Sequence, residues 1–362
     1  MPNLISDLKL SVDFLGDATA AVQFGFVIGT LCYAVLAMAD RFPPTYVFFA
    51  SALLAAICNL GIVLHDITAN EIRFYRCCTG FFLAGIYPVG MKIAADHFKE
   101  KLGKSLGFLV GALVLGTSLP HLIKGFTHQL PWQTVIKLTS LLSLLGGTAM
   151  LVLVKDGAHR RGFQKLKFTA FLAGFRNPNF RASALGYFGH MWELYTFWAF
   201  VPVMIVAYNR INEATLNVPL FSFLIIAFGA PACVISGLMS EQFGAQRVAS
   251  FALLQSCICC IISPFFLTNE SPIAFLFFLF CWSFFVIADS PLYSSLIAKY
   301  APETSKGAAL TIVNCIGFTI TIISIQTIQW LSHSIDSQFL YISLAIGPIL
   351  GLIALGKHQP NT

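Results

Sequence analysis

Long apolar runs divided by short polar breaks fill most of the chain. Reading each run between its breaks predicts eleven membrane-crossing helices. They lie over 19–38, 45–64, 73–94, 104–124, 132–154, 183–207, 217–239, 248–267, 272–297, 304–331 and 337–356. Such runs reach the roughly 18 uncharged residues needed to cross about 30 Å of hydrocarbon. The breaks carry helix-ending chemistry: Asp40-Arg41-Phe42-Pro43-Pro44 stops one helix and opens the next, because proline suits a first helical turn. The fold class this pattern predicts is all-α, a polytopic membrane protein with about 11 transmembrane helices.

Composition agrees. Only 10% of the 362 residues are charged and 57% are apolar, against roughly 25% charged in ordinary soluble domains. The net charge of +6 does not imply a nucleic-acid partner, because the basic residues are scattered among short loops rather than gathered in a stripe. They orient the chain instead. One set of alternating loops holds Arg41, Lys99, Lys101, Lys104, Lys155, Arg160, Arg161, Lys165, Lys167, Arg176, Arg181, Arg247, Lys299, Lys306 and Lys357; the other holds Lys9, Arg73, Lys124 and Arg210. By the positive-inside rule the first set is cytoplasmic. The C-terminus is therefore expected inside and the N-terminus, as given, outside.

Residues 1–17 carry Asp7, Asp13 and Asp17 and lack the basic-then-apolar order of a signal peptide. All ten cysteines fall within apolar spans, so no loop disulfide is expected. Cys257-Ile258-Cys259-Cys260 has no histidine or acidic residue beside it in sequence, and no metal is expected there.

The long basic break at 155–182, with an amphipathic stretch at 167–175, reads as a cytoplasmic linker. It separates an N-terminal half, 1–154, from a C-terminal half, 183–362. The halves repeat at a nearly fixed offset: Asp40 pairs with Glu241 (201 residues), Pro88 with Pro291 (203) and Lys104 with Lys306 (202). Such duplication is common in transporter folds. Carried one step further, the repeat places a counterpart of 183–207 mostly ahead of Met1. The expectation is an upstream start, with loss of the first helix as the alternative.

Leu36-Ala37-Met38-Ala39-Asp40-Arg41-Phe42-Pro43-Pro44 resembles the loop between helices two and three of the major facilitator superfamily, and Gly237-Leu238-Met239-Ser240-Glu241-Gln242-Phe243-Gly244 resembles its second copy. Leu36 and Pro43 stand where the consensus has glycines, and Gln242 where it has arginine. Arg76-xxx-Gly80 resembles the helix-four motif, and Gly107-xxx-Gly111-xxxx-Gly116-xxx-Pro120 keeps part of the fifth-helix glycine motif. That partial motif weakens an antiporter reading. The stretches 85–90, 186–193 and 288–291 look like a branch of bacterial permeases. The resemblance implies two pseudo-symmetric halves, with helices two to twelve of twelve present. It implies a cavity lined by the family's helices one, four, seven and ten, and a cytoplasmic gate at Asp40, Arg41, Gly237, Glu241 and Gly244. Those gate positions also have a plainer reading, as polar loop residues.

Ionisable groups inside the spans are functional candidates, since each costs at least roughly 2.5 kcal/mol at a helix centre. Glu193 lies ten residues into 183–207, with His190 three positions earlier on the same face. The two are expected to share a proton or to hold helices together as a buried pair. Asp289 precedes Ser290-Pro291, where it serves protons or substrate, or else satisfies backbone groups freed by the proline. Arg76 attracts an anion, pairs with a carboxylate or reaches to headgroups. Lys92 is expected to snorkel. Tyr87, Tyr195, Trp198 and Tyr293 offer stacking or hydrogen bonds to a solute, or pack as ordinary aromatics. Gly80, Gly85, Gly107 and Gly111 are expected to permit close helix crossing.

The reading these features support is a secondary transporter moving a small organic solute by alternating access, with or without protons. It would be a monomer in the lipid bilayer of the bacterial inner membrane, without cofactor. No Gly-x-x-x-x-Gly-Lys-Ser/Thr loop is present to bind a nucleotide. The alternatives are a transport-inactive remnant or membrane sensor, and a lipid-modifying membrane enzyme using the His65-Asp66 pair.

Overall fold

The computed structural model describes residues 4, 7–11, 14–63, 67–98, 102–126, 131–155, 157, 174–301 and 306–356. His65-Asp66, Lys99, Lys101, Arg160, Arg161, Lys165, Lys167, Lys357 and the greater part of the 155–182 linker lie outside them. Among the described residues every regular element is helical: α1 Phe14–Val35, α2 Pro44–Gly61, α3 Ala69–Leu83, α4 Tyr87–His97, α5 Leu102–Phe126, α6 Trp132–Leu153, α7 Pro178–Ile211, α8 Val218–Phe243, α9 Ala245–Leu267, α10 Pro272–Ala288, α11 Ser290–Tyr300, α12 Lys306–Leu331 and α13 Ile346–Gly356, the last preceded by a 3-10 segment, Leu340–Ala345. Ten of the resulting rods are long and apolar enough to cross a membrane, and Leu340–Gly356 is a shorter apolar one. The predicted spans are thus all helices.

The first of them begins at Phe14, ahead of the predicted residue 19. Asp17 suits that first turn, where a carboxylate faces the positive end of the helix dipole. It also accepts a 2.6 Å hydrogen bond from Arg73 of α3. Arg73 covers the Phe14 ring as well, 5.2 Å from its centroid.

Two spans are broken in the middle. α3 gives way to α4 over residues 84–86, and α10 gives way to α11 at Asp289. Pro88 and Pro291 hold the second position of the later segment in each case. Proline lacks the N–H that a continuous helix needs and clashes with the carbonyl four residues back. The repeat read from the sequence therefore reappears as one backbone defect made twice.

The chain packs as two compact units, Met1–Leu102 with His128–Lys167, and Gly103–Thr127 with Phe168–Thr362. In the first, α1 crosses α3 at bare backbone: a Cβ on Gly25 would overlap the Cys77 carbonyl, and one on Gly80 the Val22 carbonyl. Asn59 of α2 ties α6, donating to Ser140 Oγ at 3.0 Å and Thr139 Oγ1 at 3.3 Å. α3 starts with a capping box, Thr68 and Glu71 each satisfying the other's backbone. Phe14, Ala18, Ile62, Ile72 and Trp132 form a buried cluster beneath that start.

In the second unit α7 is the axis. It is buried along most of its length and packs against α8, α9, α11, α12 and α13. Gly189 meets the backbone of Gly347 where α7 crosses α13. α5 belongs to this unit, laying Gly107 against Cys233 and Gly111 against Ala230 of α8. Gly85 differs from the other expected crossing glycines: it faces the Ser51 and Tyr33 side chains.

Candidate functional site

Three ionisable side chains are sealed into the second unit: Glu193 at 0%, and His190 and Asp289 at 1% exposure each. Residues 190 and 193 project from the α7 axis one turn apart, and Asp289 is held at the α10–α11 break. Their pairing differs from the one expected. His190 Nδ1 lies 2.7 Å from Asp289 Oδ1, so the imidazole turns to the broken helix and not to Glu193. The break frees Asp289 from helical packing at the depth of His190, and the carboxylate takes the ring.

Glu193 is met by three donors instead. Trp282 Nε1–H donates to Oε1 at 2.6 Å, Cys260 Sγ to the same oxygen at 3.3 Å, and Ser256 Oγ to Oε2 at 2.9 Å. Cys260 belongs to the cysteine cluster that has no acidic neighbour in sequence; folding supplies one from a helix 67 residues away. These three partners escaped the reading of the sequence. A signal was present in Trp282, which stands in the middle of 272–297 while tryptophan favours membrane interfaces. An indole N–H buried at that depth needs an acceptor.

Aromatic rings close over the imidazole: Tyr187 at 6.1 Å and Tyr293 at 6.0 Å between centroids. His190 Nε2, Asp289 Oδ2 and the Tyr293 hydroxyl are buried without a hydrogen-bond partner. This corner of the protein holds hydrogen-bonding capacity that the fold itself leaves unused, which is unusual for buried groups. No lysine or arginine makes an ion pair with Glu193 or Asp289 among the described residues. Farther along α7, Tyr195 meets Trp198 edge-to-face at 5.2 Å and lies tilted against Phe318 at the same distance. Trp198 Nε1 is also buried without a partner.

Arg76 and Tyr87 stand in the first unit. The Arg76 Nε is buried and unpartnered on α3, and Tyr87 opens α4. Lys92, expected to snorkel, is instead 3.1 Å from Asp40 Oδ1 and 3.3 Å from Asp96 Oδ2. Its ammonium is captured between Asp96, one turn on along α4 itself, and Asp40 of the one-turn helix Met38–Arg41. In that first gate copy Ala37 adopts a left-handed conformation, φ 50°, which a non-glycine residue holds at a cost of about 1–2 kcal/mol. In the second copy Gly237 is buried, while Glu241 and Gly244 are exposed. There Gly244 ends α8 at φ 85°, which glycine adopts freely.

Comparison with known proteins agrees with this architecture. A solved proton:xylose symporter, XylE, bound to 6-bromo-6-deoxy-D-glucose, has the same fold. Its TM-score is 0.78 at 15% identity, over 99% of this chain and 90% of that one. The human organic anion transporter MFSD10 (TETRAN) superposes with a TM-score of 0.72 at 14% identity, over 97% and 87%. The MFS-type transporter acdC of Aspergillus candidus is 28% identical over 154 residues, 41% of this chain and 30% of that protein. The match thus spans under a third of that relative's length. The sequence profile described as Major Facilitator Superfamily matches residues 1–325. The chain belongs to the Major Facilitator Superfamily of membrane transporters.

Proposed function

We propose that the protein is a secondary transporter that moves a small organic solute by alternating access and couples the movement to protons. The observation that carries this reading is the pair of fully buried carboxylates, Glu193 and Asp289, in apolar helices without a lysine or arginine counter-ion among the described residues. Permanent charge at such depth is costly. A buried carboxyl group lowers that cost by holding a proton, and it can release the proton when water gains access.

In this reading the halves are 1–154 and 183–362 with a 155–182 linker, and the solute is exposed to each side of the membrane in turn. In the second unit Tyr195, Trp198 and Tyr293 offer aromatic surface to the solute; in the first, Tyr87 offers a ring and Arg76 a positive charge. The Asp40–Arg41 and Glu241–Gly244 segments gate the cytoplasmic side. The basic loops support a C-terminus on the cytoplasmic side, and the resemblance to bacterial permeases supports a bacterial cytoplasmic membrane.

The test is reconstitution of the full chain in liposomes carrying an internal pH dye, challenged in turn with sugars, amino acids, organic acids and organic amines. The expected outcome is saturable uptake of one class with simultaneous proton entry, the proton movement being lost in Asp289→Asn. Uptake without proton movement removes the coupling. Absence of saturable flux for every class removes the carrier.

A further inference from the structure

We propose that Glu193 is a reversible proton site built to be satisfied in both charge states by one rotating hydroxyl, that of Ser256. The use of such a site rests on the transporter reading; its chemistry does not. Ser256 Oγ lies 2.9 Å from Glu193 Oε2 and 3.1 Å from the Leu253 carbonyl, one turn back on its own helix. A serine has one proton and two lone pairs, so it cannot donate to both acceptors at full strength.

With Glu193 ionised, the Ser256 O–H donates to Oε2. With Glu193 protonated, Oε2–H donates to Ser256 Oγ, and the serine proton swings to Leu253 O, a back-bond common for serine in helices. Neither state leaves a buried group orphaned, and no heavy atom has to move.

The other oxygen is fixed. Trp282 Nε1–H can only donate, and at 2.6 Å it requires Oε1 to remain an acceptor. The Cys260 thiol at 3.3 Å acts in the same sense. The acidic proton therefore resides on Oε2, on the Ser256 side. Loading is a proton transfer alone: an O–H bond forms at Oε2, the carboxylate loses its charge, and the proton comes from water reaching this part of α7 and returns to it.

The surroundings contain little that competes. α9 presents Cys257, Cys259 and Cys260, α10 Cys281, the helix break Asp289, α11 Tyr293 and α8 Cys233. α12 carries only Cys315 within its apolar stretch, the 3-10 segment Tyr341, and α13 no titratable group. On α7 itself His190 is engaged by Asp289, and Tyr187 lies a turn farther.

The experiment is infrared difference spectroscopy of the purified full-length protein in lipid nanodiscs, titrated between acid and alkaline buffer with no solute present. We expect a protonated-carboxyl stretching band that grows on acidification and a matching change in an indole N–H band. Glu193→Gln removes the first, and Trp282→Phe removes the second. Ser256→Ala shifts the carboxyl band in frequency, because the acidic O–H loses its acceptor; Ser256→Thr, which keeps a hydroxyl, leaves it near its original place. A carboxyl band that survives in Glu193→Gln overturns the assignment to Glu193. A band indifferent to Ser256→Ala overturns the hydroxyl switch, and this holds even if Glu193→Gln fails to fold. A titrating band in a protein that moves no solute would count against the transporter reading alone, whereas proton-coupled flux with no such band would count against Glu193 alone.

Discussion

The two broken helices share a backbone and differ in chemistry. Where α3 meets α4, residues 84–86 are alanine, glycine and isoleucine. The nearest polar groups, the Tyr33 and Ser51 hydroxyls, are bonded to each other at 2.8 Å. Where α10 meets α11, the break is Asp289, sealed from water and set against His190. Proline fixes the position of a break in both, since it removes a helical hydrogen bond wherever it stands. What occupies the break decides its use: small and apolar residues in one unit, a carboxyl–imidazole couple in the other.

The comparison is sharpest under truncation at the break. Asp289→Ala strips His190 of its buried partner and is expected to cost about 3–5 kcal/mol, read as a lowered unfolding midpoint in detergent. Ile86→Ala at the related position, which is only half-buried, removes apolar contact alone and should cost about 2 kcal/mol, the low end for such a truncation. Equal losses would mean that the couple carries no special weight and that the two breaks are alike.

Close crossings provide a second contrast. A methyl on Gly80 runs into the Val22 backbone of the first unit, which has no side chain to turn aside. Gly80→Ala is expected to lose about 1–3 kcal/mol. A methyl on Gly186 in the second unit meets the Tyr293 ring at 2.6 Å and Leu355 at 3.1 Å, both side chains that can shift. Gly186→Ala should therefore cost less, with thermal unfolding of both variants as the measure. The reverse order would place the rigid crossing in the wrong unit.

The smallest effect has the opposite sign. Gly116 of α5 has nothing within 4 Å of where its Cβ would be, so Gly116→Ala should stabilise by up to about 1 kcal/mol through helix propensity. A loss there would show that α5 needs that glycine for a contact made in another conformation.

Helix count, span order and the duplication were legible because each depends on one-dimensional features. Apolar length sets what can cross a bilayer, and proline and glycine punctuate it. Glu193, His190 and Asp289 were legible as candidates for a related reason: charge is conspicuous in an apolar run. Their partners were not. His190 and Glu193 sit on one helical face, so spacing along the chain pairs them. The fold separates them by offering His190 a carboxylate 99 residues on and Glu193 an indole 89 residues on. Lys92 shows the same limit. Its position near a helix end reads as snorkelling, yet two carboxylates lie within 3.3 Å.

By itself the sequence determined that this chain lives in a membrane, which apolar runs are long enough to cross it and which side chains are too costly to bury without reason. These follow from hydrocarbon thickness and the backbone's need for internal hydrogen bonds, both of which act locally. Only the tertiary structure decided which donor meets which carboxylate. A buried polar group takes the partner that packing brings within about 3 Å, and that proximity is a property of helix crossings and not of spacing along the chain.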